Sequence, residues 1–372
     1  MSAAMTENVF LNFYKSTVLG YSKNLQKYVC DLLNQEGYIT FDKQESIFDK
    51  DKKILFKSKK DWKNILETTT MTSYCIPFYE YWEFIKLYKY SVPFFYEIPD
   101  EKELLELIKS KDIVIFDEKQ YQSKYIINVT LEDAEPLCLN ENENIFLKFV
   151  LQKSFVNQET FDRIDYRYPI VIYFNEKGKY LEIRYDSTKY NTSNNENYEK
   201  IINDCINWLK SELQINLYIC DHRNLIEVIK NADDKSVKLY KQMMEMSSGG
   251  SAELTAAESS DYVLPFVGEI RELIDENEEL FSECSDAKQL ILKYLDDKEA
   301  TANYPYIYVK KIEPVESQSY MYKVIFDYLN HRYTLLQHIT GSCKDLGMER
   351  MNNVIKYLCE SSSFVKGEKI EY

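Results

Sequence analysis

The chain has 372 residues, a formal net charge of -15 and a hydrophobic content of 45%. A chain of this length usually folds into two or three domains, and its negative charge argues against nucleic-acid binding over most of the surface, because that binding relies on Lys and Arg side chains. Only nine glycines are present, and no glycine-rich phosphate loop, nucleophile elbow or H-E-x-x-H zinc motif occurs. These features argue against a P-loop NTPase, a Rossmann dehydrogenase, an α/β hydrolase and a zincin.

Eight cysteines are spread through the sequence without any C-x-x-C pair, whereas secreted scaffolds and zinc ribbons cluster their cysteines. We therefore expect reduced thiols that mostly fill cores. The segment up to Lys15 lacks the basic and apolar regions of a signal peptide, and no apolar run approaches the roughly 20 residues that cross a bilayer. The sequence predicts a cytoplasmic protein without membrane attachment.

The first predicted domain covers residues 1–135. Residues 12–37 are predicted to form one helix, since apolar residues recur there at helical spacing. An aromatic-rich helix starts near Tyr79 and is expected to end at Pro93, because proline interrupts helices. Asp100 is expected to cap a short following helix. Strands are predicted over residues 38–42, 53–58, 112–117 and 124–131.

The second predicted domain covers residues 136–250. Its strongest signal is a hairpin of alternating apolar residues over 168–174 and 179–186, with Gly178 in the connection to supply a positive φ. An amphipathic helix, a short apolar strand and a further helix follow. They are predicted around residues 201–209, 215–220 and 221–231. The Ser- and Ala-rich run over 247–261 is interpreted as a linker or a mobile loop.

The third predicted domain covers residues 262–372. Two helices are expected first, one with a strongly acidic face; a strand, a hairpin turning at Asn330–His331 and a last helix follow. They are predicted over residues 267–281, 285–297, 306–312, 322–329, 333–339 and 344–361. Together the three segments predict an α+β protein of two or three domains, with small mixed or antiparallel sheets flanked by amphipathic helices.

The strand over 179–186 carries the first catalytic candidates. Alternation places Glu182, Arg184 and Asp186 on one face of this strand. Two carboxylates beside a cation are able to hold a divalent metal for phosphodiester hydrolysis, as in nuclease sites of the E-x-K type. However, Arg184 takes the place of the lysine that such sites use, and no upstream acid is identified. The alternative is a solvated strand face with cross-strand ion pairs.

Asp221 and His222 are the second pair of catalytic candidates. They lie at the predicted junction of a strand and a helix, where α/β proteins often place catalytic groups. An imidazole titrates near neutral pH and suits a general base that a carboxylate orients. The alternative is that Asp221 caps the helix and that His222 is a surface or core-edge residue. With three histidines in the chain, no histidine-rich metal site is expected.

The run from Lys50 to Lys63 contains seven lysines and two aspartates, with aromatic residues between them. Cationic and aromatic side chains together are able to neutralise and stack on nucleic acid. The alternative is an edge strand whose lysines prevent unwanted strand pairing. The candidate nucleic-acid ligands are Lys52, Lys53, Lys57, Lys59, Lys60 and Trp62.

Two further segments are candidate protein interfaces. The aromatic stretch from Tyr74 to Tyr96 contains residue types that dominate binding hot spots, although it is equally typical of core packing. The acidic helix over 267–281 is usually a solvated face, but such a helix is also able to dock a basic partner. The candidate interface residues are Tyr79, Tyr81, Trp82, Tyr88, Glu272, Glu276 and Glu279.

These observations lead to two hypotheses of function. The first is a non-enzymatic interaction subunit or adaptor of a cytosolic assembly, which binds another protein or its own copy and needs no cofactor or metal. Membership of a prokaryotic defence or mobile-element system would follow by association alone. The alternative is a metal-dependent, nuclease-like enzyme that processes nucleic acid with Glu182 and Asp186. A divalent metal is expected under this alternative only.

Overall fold

The computed structural model describes most of the chain, and both helices and strands are abundant in it, which confirms the predicted α+β class. The described residues are 3–4, 6–41, 53–98, 103–121, 123–124, 126–141, 144–188, 194–222, 224–232, 236–245, 251–255, 265–282, 284–301, 304–313, 318–328, 333–339 and 347–361.

The helices and strands are named here in chain order. The helices are α1 (Glu7–Leu19), α2 (Lys23–Gln35), α3 (Trp62–Thr70), α4 (Ile76–Ile85), α5 (Leu104–Ser110), α6 (Asn194–Leu213), α7 (Leu225–Asn231), α8 (Pro265–Glu276), α9 (Glu278–Ser282), α10 (Ser285–Thr301) and α11 (Met348–Ser361). The strands are β1 (Ala3–Ala4), β2 (Ile39–Thr40), β3 (Ile54–Leu55), β4 (Tyr90–Glu97), β5 (Val114–Ile115), β6 (Ile126–Ile127), β7 (Leu137–Glu141), β8 (Asn144–Val156), β9 (Arg163–Asn175), β10 (Tyr180–Tyr185), β11 (Asn216–Ile219), β12 (Val237–Glu245), β13 (Ser251–Thr255), β14 (Tyr306–Glu313), β15 (Gln318–Ile325) and β16 (Leu335–Ile339).

The chain divides into two compact units, each assembled from separate chain segments. Unit 1 consists of Met1–Tyr88, Tyr96–Leu217 and Leu346–Arg350. Unit 2 consists of Lys89–Phe95, Tyr218–Asp345 and Met351–Tyr372. The domain boundaries predicted near residues 135 and 255 stay predictions.

Unit 1 contains a sheet in the strand order β10–β9–β8–β7–β5. β8 and β9 are antiparallel partners over their whole length, from Asn144 opposite Asn175 to Val156 opposite Arg163. β10 pairs with β9 as the alternation predicts, whereas β5 joins β7 in parallel. β7 and β8 have no counterpart among the predicted strands, and β8 is the central strand of this order.

Two helices, α1 and α2, replace the single helix predicted over residues 12–37. α1 ends at Leu19 with Gly20 as its C-cap, and the hydroxyl of Ser22 accepts a hydrogen bond from Leu25 N at 3.4 Å at the start of α2. A serine in this position stabilises a new helix start, because it binds a backbone N–H that has no partner inside the helix. Both helices bury apolar side chains in the core of unit 1, Phe10 and Leu33 among them.

The aromatic helix α4 ends at Ile85, so the prediction that Pro93 ends it is wrong. The backbone becomes extended at Lys86, with a ψ of 156°, and Pro93 lies inside strand β4. Valine and aromatic residues dominate this segment, and they favour a strand. The chain therefore leaves the helix at Ile85 and forms β4 from Tyr90, ahead of Pro93.

The β9–β10 hairpin is confirmed, but the role predicted for Gly178 is wrong. The positive φ, 53°, belongs to Lys179, while Gly178 donates its backbone N–H to Asn175 Oδ1 at 2.6 Å. A Cβ added to Gly178 would lie 2.7 Å from Cδ1 of the buried Tyr180 ring. The close ring, and not the backbone angle, therefore requires glycine at this position.

Unit 2 contains the strand order β13–β12–β14–β15–β16–β4. The hairpin of β14 and β15 is in register from Tyr306 opposite Ile325 to Glu313 opposite Gln318. β13 pairs with β12 in antiparallel register, so the linker interpretation of residues 247–261 is wrong for Ser251–Thr255. Helices α7 and α11 contribute Leu225, Val354 and other apolar side chains to the core of this unit.

Some predicted features lie outside the described residues. They are the cap at Asp100, the turn at Asn330–His331 and the remainder of the 247–261 run. Within the described ranges, no helix combines the length and the apolar composition that crossing a membrane requires.

Candidate functional site

Four buried charged residues of unit 1 form what we call the charge cluster: Glu80, Glu83, Lys148 and Arg167. The two glutamates are three residues apart and therefore share one face of α4. Lys148 lies on β8 and Arg167 on β9, and the strand register places both side chains on the same face of the sheet. Each of the four residues is 1–3% exposed.

Hydrogen bonds connect all four members of the charge cluster. Arg167 donates from Nε to Glu83 Oε1 at 2.8 Å, and from Nη2 to Glu83 Oε2 at 2.7 Å and Glu80 Oε1 at 3.0 Å. Lys148 Nζ donates to both carboxylates and to the carbonyl of Glu80. Tyr14 Oη also donates to Glu80 Oε1. Two positive and two negative charges thus compensate each other away from water.

The cluster shifts the pKa values of its members. Burial alone would raise the pKa of the Glu80 carboxyl, but Lys148 and Arg167, with hydrogen bonds from Lys148 and Tyr14, lower this pKa to about 2. Burial raises the pKa of Tyr14 well above its ordinary value. At neutral pH the cluster therefore contains an ionised Glu80 and a neutral Tyr14 that donates to it.

A cavity of about 680 Å³ in unit 1 is lined by three members of the charge cluster, Glu80, Lys148 and Arg167. Apolar side chains, including Phe10 and Trp208, form another part of its lining. A concave site with apolar walls and a few polar groups is the usual form of a small-molecule site. This cavity is therefore the candidate ligand site of the chain.

Glu182 and Arg184 form a second buried ion pair, on β10. Both residues are 0% exposed, and Arg184 Nη2 lies 2.7 Å from Glu182 Oε2. The prediction of a solvated face is wrong, because neighbours such as the Tyr173 ring, 4.4 Å from Arg184 Cζ, cover these side chains. Asp186 is 33% exposed and pairs with Lys86 instead. Glu182 and Asp186 thus have ion-pair partners of their own, Arg184 and Lys86, and a joint role of the two carboxylates at a metal stays a prediction.

His222 is 1% exposed, so neither the surface nor the core-edge interpretation holds. Its Nε2 lies 3.4 Å from Cys220 Sγ, and its Nδ1 lies 3.1 Å from Thr334 Oγ1. Cys220 Sγ in turn lies 3.8 Å from Cys359 Sγ. The predicted histidine is therefore part of a buried group of thiols and a hydroxyl in unit 2.

Asp221 does not occupy the N-cap of α7, which is Asn224, so the capping interpretation is wrong. Three residues separate Asp221 from Leu225, where α7 begins. Burial alone would lower the pKa of His222, but the neighbouring Cys220 and Asp221 raise it above its ordinary value. Asp221 thus acts on His222 through its charge.

Among the nucleic-acid candidates of the basic run, Lys52 lies outside the described residues. Lys53, Lys57, Lys59 and Lys60 are exposed. Trp62 is half-buried and packs against the core of unit 1. A tryptophan that packs on the core has less ring surface for stacking on a base, and contact of the lysines with nucleic acid stays a prediction.

The aromatic interface candidates lie mostly inside unit 1. Tyr79 and Trp82 are 1% exposed and Tyr88 is 0% exposed, which corresponds to the core-packing alternative. Tyr81 is half-buried and donates a hydrogen bond to Glu141 Oε2 at 3.1 Å. Of these four residues, Tyr81 alone keeps part of its side chain accessible to a partner.

Helices α8, α9 and α10 contact one another, and we call their exposed side the helical surface. The predicted acids Glu272, Glu276 and Glu279 are exposed there. Ile274 on α8 and Leu295 on α10 are buried, each 1% exposed. Four large apolar side chains remain in solvent. They are Leu273 (56% exposed), Leu280 (72%), Leu290 (70%) and Tyr294 (59%).

The charge cluster was not predicted from the sequence. A usable signal exists, because Lys148 stands inside the apolar run Ile145–Leu151 and Arg167 stands between two tyrosines, Tyr166 and Tyr168. Glu80 and Glu83 likewise interrupt an aromatic helix at a spacing that puts them on one face. Charged residues inside apolar runs are rarely buried without a partner. The two acids and the two bases could therefore have been predicted to form ion pairs with each other.

No protein-family model matches the sequence, and no curated protein matches it. Among the described residues, no group of three or more His, Cys, Asp and Glu side chains is arranged to hold a metal ion.

Proposed function

We propose that this chain is a non-enzymatic adaptor of a cytoplasmic assembly, whose helical surface binds a basic amphipathic segment of a partner protein. The observation that carries the proposal is the exposure of four large apolar side chains among acidic residues. Single exposed apolar residues are ordinary, but a group of them on adjoining elements marks an interaction site.

The apolar part of the helical surface supports the binding of an amphipathic helix. Leu290 and Tyr294 lie on the same face of α10, because residues at i and i+4 are neighbours on a helix. Tyrosine is among the residue types that contribute most to binding energy. A partner helix that buried these side chains would remove them from water and gain hydrophobic stabilisation.

The charge of the helical surface supports a basic partner. Between Ile270 and Asp296 the described side chains include more than twice as many acids as bases. They are Glu272, Asp275, Glu276, Glu278, Glu279, Asp286 and Asp296, against Arg271, Lys288 and Lys293. Two of these acids pair within the surface, Glu278 with Lys288 and Asp296 with Arg271. The remaining negative charge attracts a basic segment and repels a second copy of this surface.

The cysteines support the cytoplasmic part of the proposal. All seven cysteines in the described part of the chain are free thiols, and free thiols persist in a reducing compartment. Self-association and membership of a prokaryotic defence system are narrower forms of the hypothesis, and no observation favours either of them.

A synthetic helix tests the proposal directly. We would measure, by fluorescence anisotropy, binding of a labelled peptide whose leucines lie on one face and whose lysines lie on the other. Wild-type protein should bind this peptide and release it as salt is added, because salt screens exposed charges. The double variant Leu290→Ser, Tyr294→Ser should bind at least about tenfold more weakly, since two large apolar contacts are lost.

Two controls decide the result. Val129→Ser removes an apolar side chain that is 62% exposed in unit 1, and it should bind like the wild type. A peptide of the same composition with its leucines distributed around the helix should bind weakly. If the shuffled peptide binds equally well, or if the double variant keeps its affinity, the proposal is wrong. A dimer that the double variant dissolves, without peptide binding, would identify a second copy as the occupant and also contradict it.

The alternative of a nuclease-like enzyme receives no support from the placement of its residues. A metal-bound phosphodiester needs carboxylates that solvent and substrate can reach. Glu182 is fully buried and already paired with Arg184.

A further inference from the structure

The cavity of unit 1 has the size of a small-molecule site. Its volume of about 680 Å³ lies within the range of about 300–1,000 Å³ that ligand pockets occupy. Phe10, Val150 and Trp208 supply apolar surface to its lining. A ligand of this size would therefore be partly apolar.

Arg167 keeps hydrogen-bonding capacity for a ligand. Although it is 2% exposed, its Nη1 makes no hydrogen bond anywhere in the described part of the chain. Nη1 is also not one of the fully buried side-chain atoms that lack a hydrogen bond. It is therefore accessible from the cavity that Arg167 lines. A guanidinium donates and never accepts. The ligand must therefore offer an acceptor.

Asn128 gives the cavity a second polar group. It is 7% exposed and lines the cavity. Its backbone is held by Val150 O and Gln152 N, while its side-chain amide makes no hydrogen bond within the described ranges. An amide donates and accepts, so it can complete the recognition of a polar ligand group that Arg167 begins.

The charges around the cavity argue against an anionic ligand. The charge cluster already balances two cations with two carboxylates, so an added carboxylate would be a buried charge without compensation. At the exposed rim, acids outnumber lysines. The rim carries Asp112, Glu132, Asp133, Glu135 and Glu212 against Lys111 and Lys124. An anion would be repelled at entry and left unpaired inside.

We infer that the cavity binds an uncharged, partly apolar small molecule whose carbonyl oxygen accepts a hydrogen bond from Arg167 Nη1. The ring or alkyl part of this molecule lies against Phe10 and Trp208, and the Asn128 amide binds a second polar atom of the same group. A hydrogen bond from a charged donor is stronger than one between neutral groups. The guanidinium of Arg167 therefore favours a ligand with a carbonyl oxygen over one without an acceptor.

Three probes of equal size and different charge test this inference. Benzamide is neutral and carries a carbonyl, benzoate is its anion analogue, and benzamidine is a cation without an acceptor. We would measure binding of each to the full chain by saturation-transfer NMR with titration. Benzamide should bind at least about tenfold more tightly than either of the others, because each of them leaves a buried group unpaired.

Two matched variants locate the binding. Val150→Phe fills part of the cavity, whereas Val156→Phe adds the same ring to an exposed position of the same strand, β8. Benzamide binding should be lost in the first variant and kept in the second. Asn128→Leu leaves the cavity open and should weaken benzamide about tenfold.

The inference is overturned if benzamide gives no response, if benzoate binds as well as benzamide, or if Val150→Phe binds like the wild type. Near-UV circular dichroism of each variant would establish that it is folded. A folded Asn128→Leu variant that binds benzamide with unchanged affinity would also count against the inference, since it removes one of the two polar contacts.

Discussion

Lys148 neutralises two carboxylates at once, and this makes it the sharpest single test of the charge cluster. In Lys148→Met a side chain of similar length remains, but within the charge cluster Arg167 alone then supplies positive charge to Glu80 and Glu83. Breaking a buried ion pair from one side costs about 3–5 kcal/mol. We therefore expect the free energy of unfolding of this variant, measured by urea titration, to fall by that amount.

Lys124→Met is the matched control for that variant. Lys124 pairs with Glu135 at 3.0 Å, but the two side chains are 61% and 80% exposed. An exposed pair contributes about 0–1 kcal/mol, so this variant should unfold at nearly the wild-type urea concentration. Equal losses in the two variants would contradict the conclusion that burial decides the importance of these pairs.

The low pKa of Glu80 predicts a loss of stability in acid. The folded protein holds this pKa at about 2, below the ordinary range of glutamate in an unfolded chain. The ionised carboxylate therefore stabilises the fold at neutral pH, and this contribution disappears as the pH falls from the ordinary glutamate range towards about 2. Urea midpoints across that range should fall in the wild type and vary less in Glu80→Gln. Parallel profiles would show that Glu80 does not titrate as described.

For individual residues, the sequence identified some site candidates but not whether they are buried. Glu182, Arg184 and His222 were selected for their chemistry, yet all three are buried. Alternation along a strand tells which residues share a face, but it does not tell whether another element covers that face. The partners of His222, Cys220 and Thr334, lie two and 112 residues away, and only the first was visible locally.

Among the secondary-structure elements, the β9–β10 hairpin offers the clearest test of a single position. A methyl group in Gly178→Ala would meet the Tyr180 ring, which is 3% exposed and has little room to move. Forcing extra volume into a packed site costs about 1–3 kcal/mol. We expect the free energy of unfolding to fall by that amount in urea titrations.

Lys177→Ala provides the control within the same turn. Lys177 is exposed, and surface substitutions usually change stability by less than about 0.5 kcal/mol. If Gly178→Ala is as stable as Lys177→Ala, the Tyr180 ring must be free to shift, and the explanation given for the glycine is wrong.

Elements with a strong local pattern were predicted, and elements shaped by their neighbours were not. The alternation of apolar residues in β9 and β10 identified their hairpin, because residues that alternate in this way lie on one face of a strand. The end of α4 was misplaced, since helical spacing continues into a segment that pairs as β4. β12 and β13 were not predicted, because their sequences mix polar and apolar residues without a clear pattern. β12 pairs with both β13 and β14, and this pairing stabilises the strands.

For the whole molecule, the α+β class followed from the mixture of periodicities along the chain. The grouping of segments did not follow, because local patterns report stretches that are contiguous in sequence. Unit 2 includes Lys89–Phe95, a short segment from the first third of the chain. Contacts between residues distant in sequence, such as the pairing of Leu336 with Ser91, connect this segment to unit 2.

The charge cluster also fixes an order of events during synthesis. Glu80 and Glu83 emerge from the ribosome 65–87 residues before the cations that neutralise them, an interval of roughly 3–17 s at an elongation rate of about 5–20 residues per second. Burying the two carboxylates without their cations would be costly, so we expect them to stay hydrated until then. We therefore expect the core of unit 1 to close around α4 after β9 has delivered Arg167.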